Sequence, residues 1–233
     1  MEADFRKLKE KLSDLGISHI DSILYDLGVS SAHYDDSERG FSFRFDGPLD
    51  MRFDRTGDSP TAADFLRTAS EAEILRVLRD YGEEPKAFFI AKAVVATRKA
   101  RPLKTTGDFL KLIEEASFDP KSKTRTFQAV RIAVNDEFGS IEDSLRQAVE
   151  LLNPEGRLSV ITFHSLEDRL VKTALKEFER DVPDELTGMP LVKALLKKVH
   201  KKPIEPSPEE VKNNPRSRSA KLRVCEKLGK TSD

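Results

Sequence analysis

The chain has 233 residues with 40 basic and 41 acidic side chains, so its formal net charge at pH 7 is −1. An apolar content of 38% suffices for a packed core, and a single cysteine excludes both an intramolecular disulfide and a cysteine-based zinc site. No apolar run reaches the roughly 18 residues of a membrane span, and the charged start MEADFRKLKEKL lacks the apolar segment of a signal peptide. We therefore expect a cytoplasmic protein without metal or membrane contacts.

The first predicted elements are a helix and a strand. Apolar residues between Phe5 and Leu15 repeat at helical spacing, and Gly16 marks the end of this helix. The segment IDSILYDLG, residues 20–28, is apolar and bounded by turn residues, which predicts a short buried strand.

Residues 29–57 are too many for an ordinary connection, so we expect this segment to be functional or disordered, and its content favours function. Its core, RGFSFRFDGPLDMRFD, has three phenylalanines in strict alternation before an Asp46-Gly47 turn signal. That pattern is typical of a hairpin with one buried face, although Pro48 directly after the turn disfavours it. We favour a folded loop in which most of the phenylalanines pack.

Helical patterns follow from residue 59 on. Ser59 is a candidate N-cap with Pro60 at the first helical position, and Ser70 with Glu73 forms a capping-box pattern before an apolar run. Further helices are predicted over residues 87–99 and 106–116, and no strand pattern occurs between residues 61 and 124.

The second half alternates between helices and strands. Helices are predicted around residues 127–134 and from Ser140, and the turn at residues 153–156 precedes the strand RLSVITF. Ser165 and Asp168 resemble a capping box that opens the next helix. Residues 201–215, rich in proline and charge, are predicted to be extended.

A final strand, AKLRVCE, is predicted to pair back onto the sheet. The fold class is therefore α/β, with a sheet interrupted by an all-helical insertion. The predicted organisation is residues 1–56 and 126–233 for the sheet domain and residues 57–125 for the insertion.

Two strand ends are candidate ligand sites, because open α/β sheets bind ligands at the carboxyl ends of their strands. Asp26 is followed by Gly28, so a carboxylate can accept hydrogen bonds where the backbone leaves room. His164 follows the later strand, but Ser165 can equally well cap the next helix while the histidine bonds locally. Glycine-rich phosphate loops, nucleophile elbows and paired-histidine metal motifs do not occur in the sequence.

Charge is distributed unevenly along this neutral chain. Basic residues outnumber acidic ones by more than two to one in residues 98–131 and again in residues 193–223. Two basic zones suggest contact with a polyanion, although solvated helix faces explain either zone equally well.

Five longer motifs occur in a fixed order. They are DLGVSSAHYDDSERGFSFRFDGPLDMRFD from Asp26, YGEE from Tyr81, TRTFQAVRIAVNDE from Thr124, GRLSVITFHSLEDRLVK from Gly156 and NPRSRSAKLRV from Asn214. In these motifs the chain resembles the bacterial 16S ribosomal RNA cytosine-N4 methyltransferases, the RsmH or MraW family, from about Phe5 onward. The resemblance implies a class I (Rossmann-like) sheet that uses S-adenosyl-L-methionine, with an inserted helical domain for substrate recognition.

The resemblance also implies site residues. Phe5 corresponds to the aromatic residue beside the adenine of the cofactor, and Asp26 to the aspartate at the strand end. His33, the third candidate cofactor contact, replaces a glutamine that is usual in the loop. Phe88 and Phe89 replace basic residues after the YGEE motif, which weakens the expectation of RNA contacts there.

One departure concerns the start of the chain. The family begins with two strand-helix units that carry a GTFGxGGH-type cofactor loop, and Met1 falls after them. We therefore expect an N-terminally truncated sheet in which the strand of residues 20–25 becomes an edge with exposed apolar surface, and which is inactive alone.

The implied chemistry needs a hydrogen-bond acceptor. An exocyclic cytosine amine is a poor nucleophile, so a site must align it and accept its protons. Asp26 and Ser30 are the catalytic candidates, and Ser31, Asp35 and Asp36 are within sequence reach.

The implied partner is the small ribosomal subunit, whose target cytosine must leave its stack while basic side chains hold phosphates. A non-catalytic RNA- or ribosome-binding remnant is the alternative function, and the oligomeric state, a dimer included, is open. The hypothesised phosphate contacts are Arg39, Arg44, Arg52, Arg98, Lys99, Arg101, Lys123, Arg125, Arg216 and Arg218.

Overall fold

The computed structural model describes residues 4–183 and 190–229. Its helices in chain order are α1 (Leu8–Asp14), α2 (Ser31–Asp35), α3 (Ala62–Thr68), α4 (Glu71–Asp80), α5 (Ala87–Thr97), α6 (Thr106–Ala116), α7 (Ser122–Asn135), α8 (Glu137–Leu151), α9 (Ser165–Phe178) and α10 (Pro208–Asn213). Its strands are β1 (Ile20–Asp26), β2 (Leu152–Thr162), β3 (Val182–Pro183), β4 (Pro190–Val192), β5 (Leu196–Lys198) and β6 (Lys221–Lys227). Short 3-10 turns lie at Phe5–Lys7, Ser37–Arg39 and Pro215–Ser219.

Contacts divide the chain into two compact units. The sheet unit consists of Met1–Gly28 with Phe138–Asp233, and the helical unit is Val29–Glu137. The helical unit thus includes the loop after Gly28 and helix α7 in addition to residues 57–125. That an inserted recognition domain spans residues 57–125 stays a prediction. Within the described residues, no helix has both the length and the apolar character needed to cross a bilayer.

The sheet unit contains a mixed four-stranded sheet in the order β1-β2-β6-β5, so the α/β class is confirmed. β1 runs parallel to β2, and β6 pairs antiparallel with both β2 and β5. The predicted pairing of the last strand with the sheet is therefore correct. Apolar residues of β2 alternate toward a core that includes Leu158, Val160 and, from α8 and α9, Leu145 and Val171.

Strand β1 lies at the edge of the sheet in the described part of the chain, as predicted. Its side chains alternate between a buried and an open face: Tyr25 is buried, whereas Leu24 is 63% exposed. An exposed leucine beside unpaired edge backbone is unusual, because free strand edges invite pairing with another chain.

The helical unit packs α3 to α7 around one apolar core, in which Phe109 and Leu112 are almost fully buried. As predicted, no strand occurs between residues 61 and 124 of this unit, although Thr105 forms an isolated bridge with Pro48. Helix α6 has the predicted bounds.

Two predicted helix starts differ from the structure. Thr61, not Ser59, caps α3, because Thr61 Oγ1 accepts from the Asp64 N–H while the Asp64 carboxylate accepts from the Thr61 N–H. This reciprocal pair satisfies two amide donors at once, which Ser59 does not do. Ser70 caps α4 as predicted, and α8 begins at Glu137, three residues before the predicted Ser140.

The prediction of an extended segment over residues 201–215 is wrong for residues 208–213, whereas residues 201–207 contain no helix and Ile204 forms an antiparallel bridge with Leu222. Ser207 caps the short helix α10 by accepting from the Glu210 N–H, with Pro208 at the first helical position. Proline at that position is compatible with a helix, because its missing N–H has no intrahelical partner in any case.

Candidate active site

The end of β1 is held by a buried tyrosine. Tyr25 Oη lies 2.6 Å from Ser144 Oγ and donates to the Ser144 carbonyl at 3.1 Å, and burial raises the pKa of Tyr25 to about 12. The Leu27 N–H continues the ladder by donating to the Ile161 carbonyl. These bonds therefore hold the end of β1 against α8 and β2.

Asp26, the next residue along β1, is exposed. Successive side chains of a strand point to opposite faces, so this carboxylate lies opposite buried Tyr25 and is open to solvent. Gly28 follows with a φ of 94°, which favours glycine. The exposed carboxylate and the turn that sequence analysis singled out are therefore both present at the carboxyl end of a parallel strand pair.

A second carboxylate lies beside this turn, and sequence analysis missed it. Glu167 is almost fully buried, and its Oε2 accepts from the Phe163 N–H at 2.8 Å. A Cβ added to Gly28 would be 3.7 Å from Glu167 Oε1, so the two residues are neighbours. The signal available in the sequence was an acidic residue three positions after the strand-end histidine.

His164 is the N-cap of α9, so the prediction of a Ser165–Asp168 capping box is wrong. The His164 Nδ1 accepts from the Glu167 N–H at 3.2 Å, and Nε2 lies 2.8 Å from Glu167 Oε1 at an angle outside hydrogen-bond geometry. Asp168 instead receives a bidentate ion pair from Arg223, with bonds of 2.8 and 2.9 Å. This pair joins α9 to β6.

Phe5 lies in the 3-10 turn before α1, also in the sheet unit. Its ring contacts Tyr25 edge-to-face with a centroid separation of 6.2 Å, and it remains 39% exposed. Since Tyr25 and Asp26 point to opposite faces, Phe5 and Asp26 flank the end of the same strand. Of the three predicted cofactor contacts, Phe5 and Asp26 are exposed, whereas His33 is half-buried.

Ser30 and His33 form a hydrogen-bonded pair within the helical unit. Ser30 Oγ lies 2.7 Å from His33 Nδ1, and the ring of His33 packs against Phe41 and Phe53. Burial lowers the pKa of His33, and the positive charges of Arg39 and Arg131 lower it further. The imidazole is therefore neutral near pH 7 and Ser30, an exposed residue, is oriented by it.

The loop of residues 37–54 is folded, and the hairpin alternative is wrong. Phe41 and Phe53 stack with centroids 5.5 Å apart, and Phe43 packs edge-to-face on Phe127. Gly40 has a φ of 71°, and a Cβ there would overlap the Pro48 carbonyl. The loop therefore turns back on itself at a position where only glycine fits.

Two arginines of this loop bind the loop itself. Arg39 donates to the carbonyls of Arg52 and Phe53, and Arg52 forms an ion pair with Asp50 while also donating to two more carbonyls. Arg44 is exposed. The guanidinium groups of Arg39 and Arg52 thus stabilise the folded loop.

The other predicted phosphate contacts also divide into two groups. Arg98 donates to the carbonyls of Leu66 and Ala69, and three cations form ion pairs: Arg101 with Glu115, Arg125 with Asp119 and Lys123 with Glu114. The exposed members of the set are Lys99, Arg216 and Arg218.

The sequence was compared with families and curated proteins. Residues 1–228 match the model of the MraW methylase family. A Brevibacillus brevis protein named ribosomal RNA small subunit methyltransferase H is 45% identical over an alignment of 239 residues in length. The alignment covers 98% of this chain and 75% of that protein. A protein of the same name from Limosilactobacillus fermentum is 46% identical over 241 residues, with the same shares covered.

Proposed function

Because this chain belongs to the MraW methylase family, we propose that it takes part in transferring a methyl group from S-adenosylmethionine to the N4 amino group of a cytosine in 16S rRNA. One observation carries the proposal: the exposed Asp26 carboxylate closes a parallel strand and is followed by a glycine turn. The named relatives are methyltransferases of small-subunit ribosomal RNA, which supports the same class of substrate.

The residues at the strand end fit part of the methyl donor. The accessible ring of Phe5 offers an apolar face for an adenine, and Asp26 offers an acceptor for polar groups. S-adenosylmethionine supplies an electrophilic methyl group when bound. The free edge of β1, with Leu24 exposed, supports the proposal that further strands complete the donor site in the active enzyme.

Within the reaction, Asp26 accepts a hydrogen bond from the cytosine amine. The amine lone pair is delocalised into the ring, so an acceptor that holds the N–H groups aligns the nitrogen and takes up charge as the N–C bond forms. Neutral His33 keeps Ser30 oriented, and the Ser30 hydroxyl is a second candidate acceptor.

For substrate binding, we assign the phosphate contacts first to the exposed cations Arg44, Lys99, Arg216 and Arg218. Direct contacts by the remaining six basic residues, whose side chains are less exposed, stay a prediction. If binding depends on these contacts, the affinity for RNA falls steeply as the salt concentration rises. On single strands the logarithm of the binding constant falls with the logarithm of the salt concentration by a slope of about 0.7 per phosphate contact.

Methyl incorporation tests the function. Small ribosomal subunits that lack the modification are incubated with radiolabelled S-adenosylmethionine, the chain and the family's N-terminal strand-helix units. We expect Asp26→Ala to lower incorporation by about 10²- to 10⁴-fold, the contribution typical of a positioned proton acceptor. Asp14→Ala, an exposed aspartate at the end of α1, is the matched control and leaves incorporation unchanged.

Calorimetry with S-adenosylmethionine separates this enzyme from a non-catalytic remnant. An enzyme gains donor binding when the N-terminal units are supplied, whereas a remnant shows none under either condition. Unchanged incorporation by Asp26→Ala would reject the assigned role of that carboxylate.

A further inference from the structure

Three exposed phenylalanines lie on two segments of the helical unit that are joined by hydrogen bonds. Phe118, between α6 and α7, is 98% exposed, and Phe88 and Phe89 in the first turn of α5 are 51% and 56% exposed. Phe88 and Phe89 contact each other edge-to-face with centroids 5.6 Å apart. These three side chains are called the phenylalanine patch.

One buried carboxylate links the two segments that carry the patch. Glu84 Oε1 accepts from the Lys86 N–H at 2.8 Å and from Ser122 Oγ at 2.9 Å. Ser122 Oγ in turn lies 2.8 Å from Ser117 Oγ. Lys86 is two residues before Phe88, and Ser117 directly precedes Phe118, so these bonds tie the start of α5 to the loop that carries Phe118.

The loop under Phe118 is anchored on both sides of the exposed ring. The Asp119 N–H donates to buried Ser117 Oγ, and the Asp119 carboxylate accepts from the Lys121 N–H and from Arg125. These bonds hold the backbone in place while the large apolar ring of Phe118 faces solvent. Exposing an apolar ring to water is unfavourable, and no packing contact offsets that free energy here. A ligand that covers the ring recovers that free energy without ordering the loop.

The charges around the patch favour an anionic ligand. Lys86 and Lys121 are exposed, and Lys86 Nζ lies 5.8 Å from the centroid of Phe89. Most nearby carboxylates are engaged: Glu84 is buried, and Arg125 pairs with Asp119. The two glutamates in the last turn of α6 pair with Lys123 and Arg101. Glu83 is an exposed acidic residue in the same region of the chain.

We propose that the phenylalanine patch stacks on unpaired bases of a single-stranded RNA segment while Lys86 and Lys121 contact the flanking phosphates. Exposed aromatic faces beside cations are the means by which proteins hold unstacked bases. This assignment rests on the proposed ribosomal RNA substrate, and it adds the site at which a strand outside the reacting cytosine is held.

A tryptophan probe tests the stacking directly, because the chain contains no tryptophan. In Phe118→Trp, the single indole should be quenched in a saturable way when an unstructured 12-nucleotide RNA is titrated into the full chain. Leu15→Trp is the matched control, since Leu15 is also 59% exposed, lies outside the patch and has no residue assigned to phosphate beside it. Equal quenching of both variants, or quenching of neither, overturns the proposal.

Binding of the same fluorescein-labelled RNA is then measured by anisotropy. Phe118→Ala should weaken it by about 5- to 150-fold, the range for one lost base stack, and Phe118→Trp should restore it. Replacing Lys86 and Lys121 together by alanine should reduce the salt slope by about 1.4, at about 0.7 per phosphate contact. An unchanged affinity of Phe118→Ala contradicts the proposal.

Self-association is the competing explanation for the patch. Sedimentation of the chain without RNA that shows a dimer in the wild type and a monomer in Phe118→Ala would overturn RNA stacking in favour of a second copy. The methyl-transfer assay keeps this test apart from the proposed function. If the Phe118 position stacks on RNA but no methyl transfer is detected, the proposed function is rejected and the patch is kept. If methyl transfer is detected and Phe118→Ala binds RNA as well as the wild type, the patch is rejected and the function is kept.

Discussion

The helical unit has a fully packed apolar core, whereas the sheet unit has a strand edge with an exposed apolar side chain. Leu112 in α6 is 1% exposed, whereas Leu24 in β1 is 63% exposed. Helices satisfy their backbone groups internally, so the packing of α3 to α7 completes their unit. The backbone of a strand is fully paired only when it has a neighbour on each side, and β1 has β2 on one side alone in the described part of the chain. The stability of the two units therefore has different sources.

The largest expected effect compares the two leucines directly. Leu112→Ala should lower the free energy of unfolding by about 2–5 kcal/mol, because it removes packed methyl groups and leaves a cavity. Leu24→Ala should change it by about 0.5 kcal/mol or less, because that side chain already contacts water. Urea denaturation followed by circular dichroism measures both. Equal losses would mean that the β1 edge is as well packed as the helical core.

Two glycines with nearly the same φ allow the cost of steric crowding to be compared with the cost of a left-handed backbone. Gly16 has a φ of 72° with open space around it, whereas Gly40 has a φ of 71° and backbone atoms where a Cβ would lie. Gly16→Ala should cost about 1–2 kcal/mol from the left-handed backbone alone. Gly40→Ala should cost more, because the loop must also move away from Pro48. The same urea titration compares them, and equal costs would contradict the folded-loop geometry.

Ion pairs offer a smaller contrast within the sheet unit. Arg223 and Asp168 are largely buried and bidentate, whereas Lys9 and Glu150 are more than half exposed. Lys9→Ala should cost about 0.2–1 kcal/mol, and Arg223→Ala clearly more, because a largely buried carboxylate then loses its bidentate partner and keeps only Lys221 at 3.8 Å. Raising the salt concentration should abolish the small effect first. A salt-sensitive loss in Arg223→Ala would contradict its buried geometry.

The smallest expected effect is the pH dependence due to His33. Its pKa is lowered in the folded protein, so below the ordinary value of 6.5 the unfolded chain binds more protons and stability falls as pH falls. In His33→Gln this contribution disappears, and the slope of unfolding free energy against pH between about 5 and 6.5 becomes shallower. His19→Gln, at an exposed histidine, is the control. An unchanged slope in His33→Gln would mean that His33 is not desolvated.

Local sequence signals predicted the elements that depend on neighbours along the chain. The alternation of helices and strands, strand β1, helix α6 and the Ser70 cap follow from hydrophobic period and capping chemistry within a few residues. Asp26 was chosen as a candidate in the same way, because a carboxylate at a strand end can be recognised from the residues next to it, and its role stays a prediction.

Tertiary structure decided which side chains are available for function. Arg39 and Arg44 look alike in sequence, yet the chain folds back so that Arg39 meets carbonyls thirteen and fourteen positions away while Arg44 stays exposed. Glu167 is buried beside Gly28 only because two strands far apart in sequence lie in parallel. The periodicity of a sequence shows which residues share a face of a helix or strand. Which partner covers that face is decided by contacts between residues far apart in sequence. Those contacts leave the edge of β1 unpaired and the ring of Phe118 exposed.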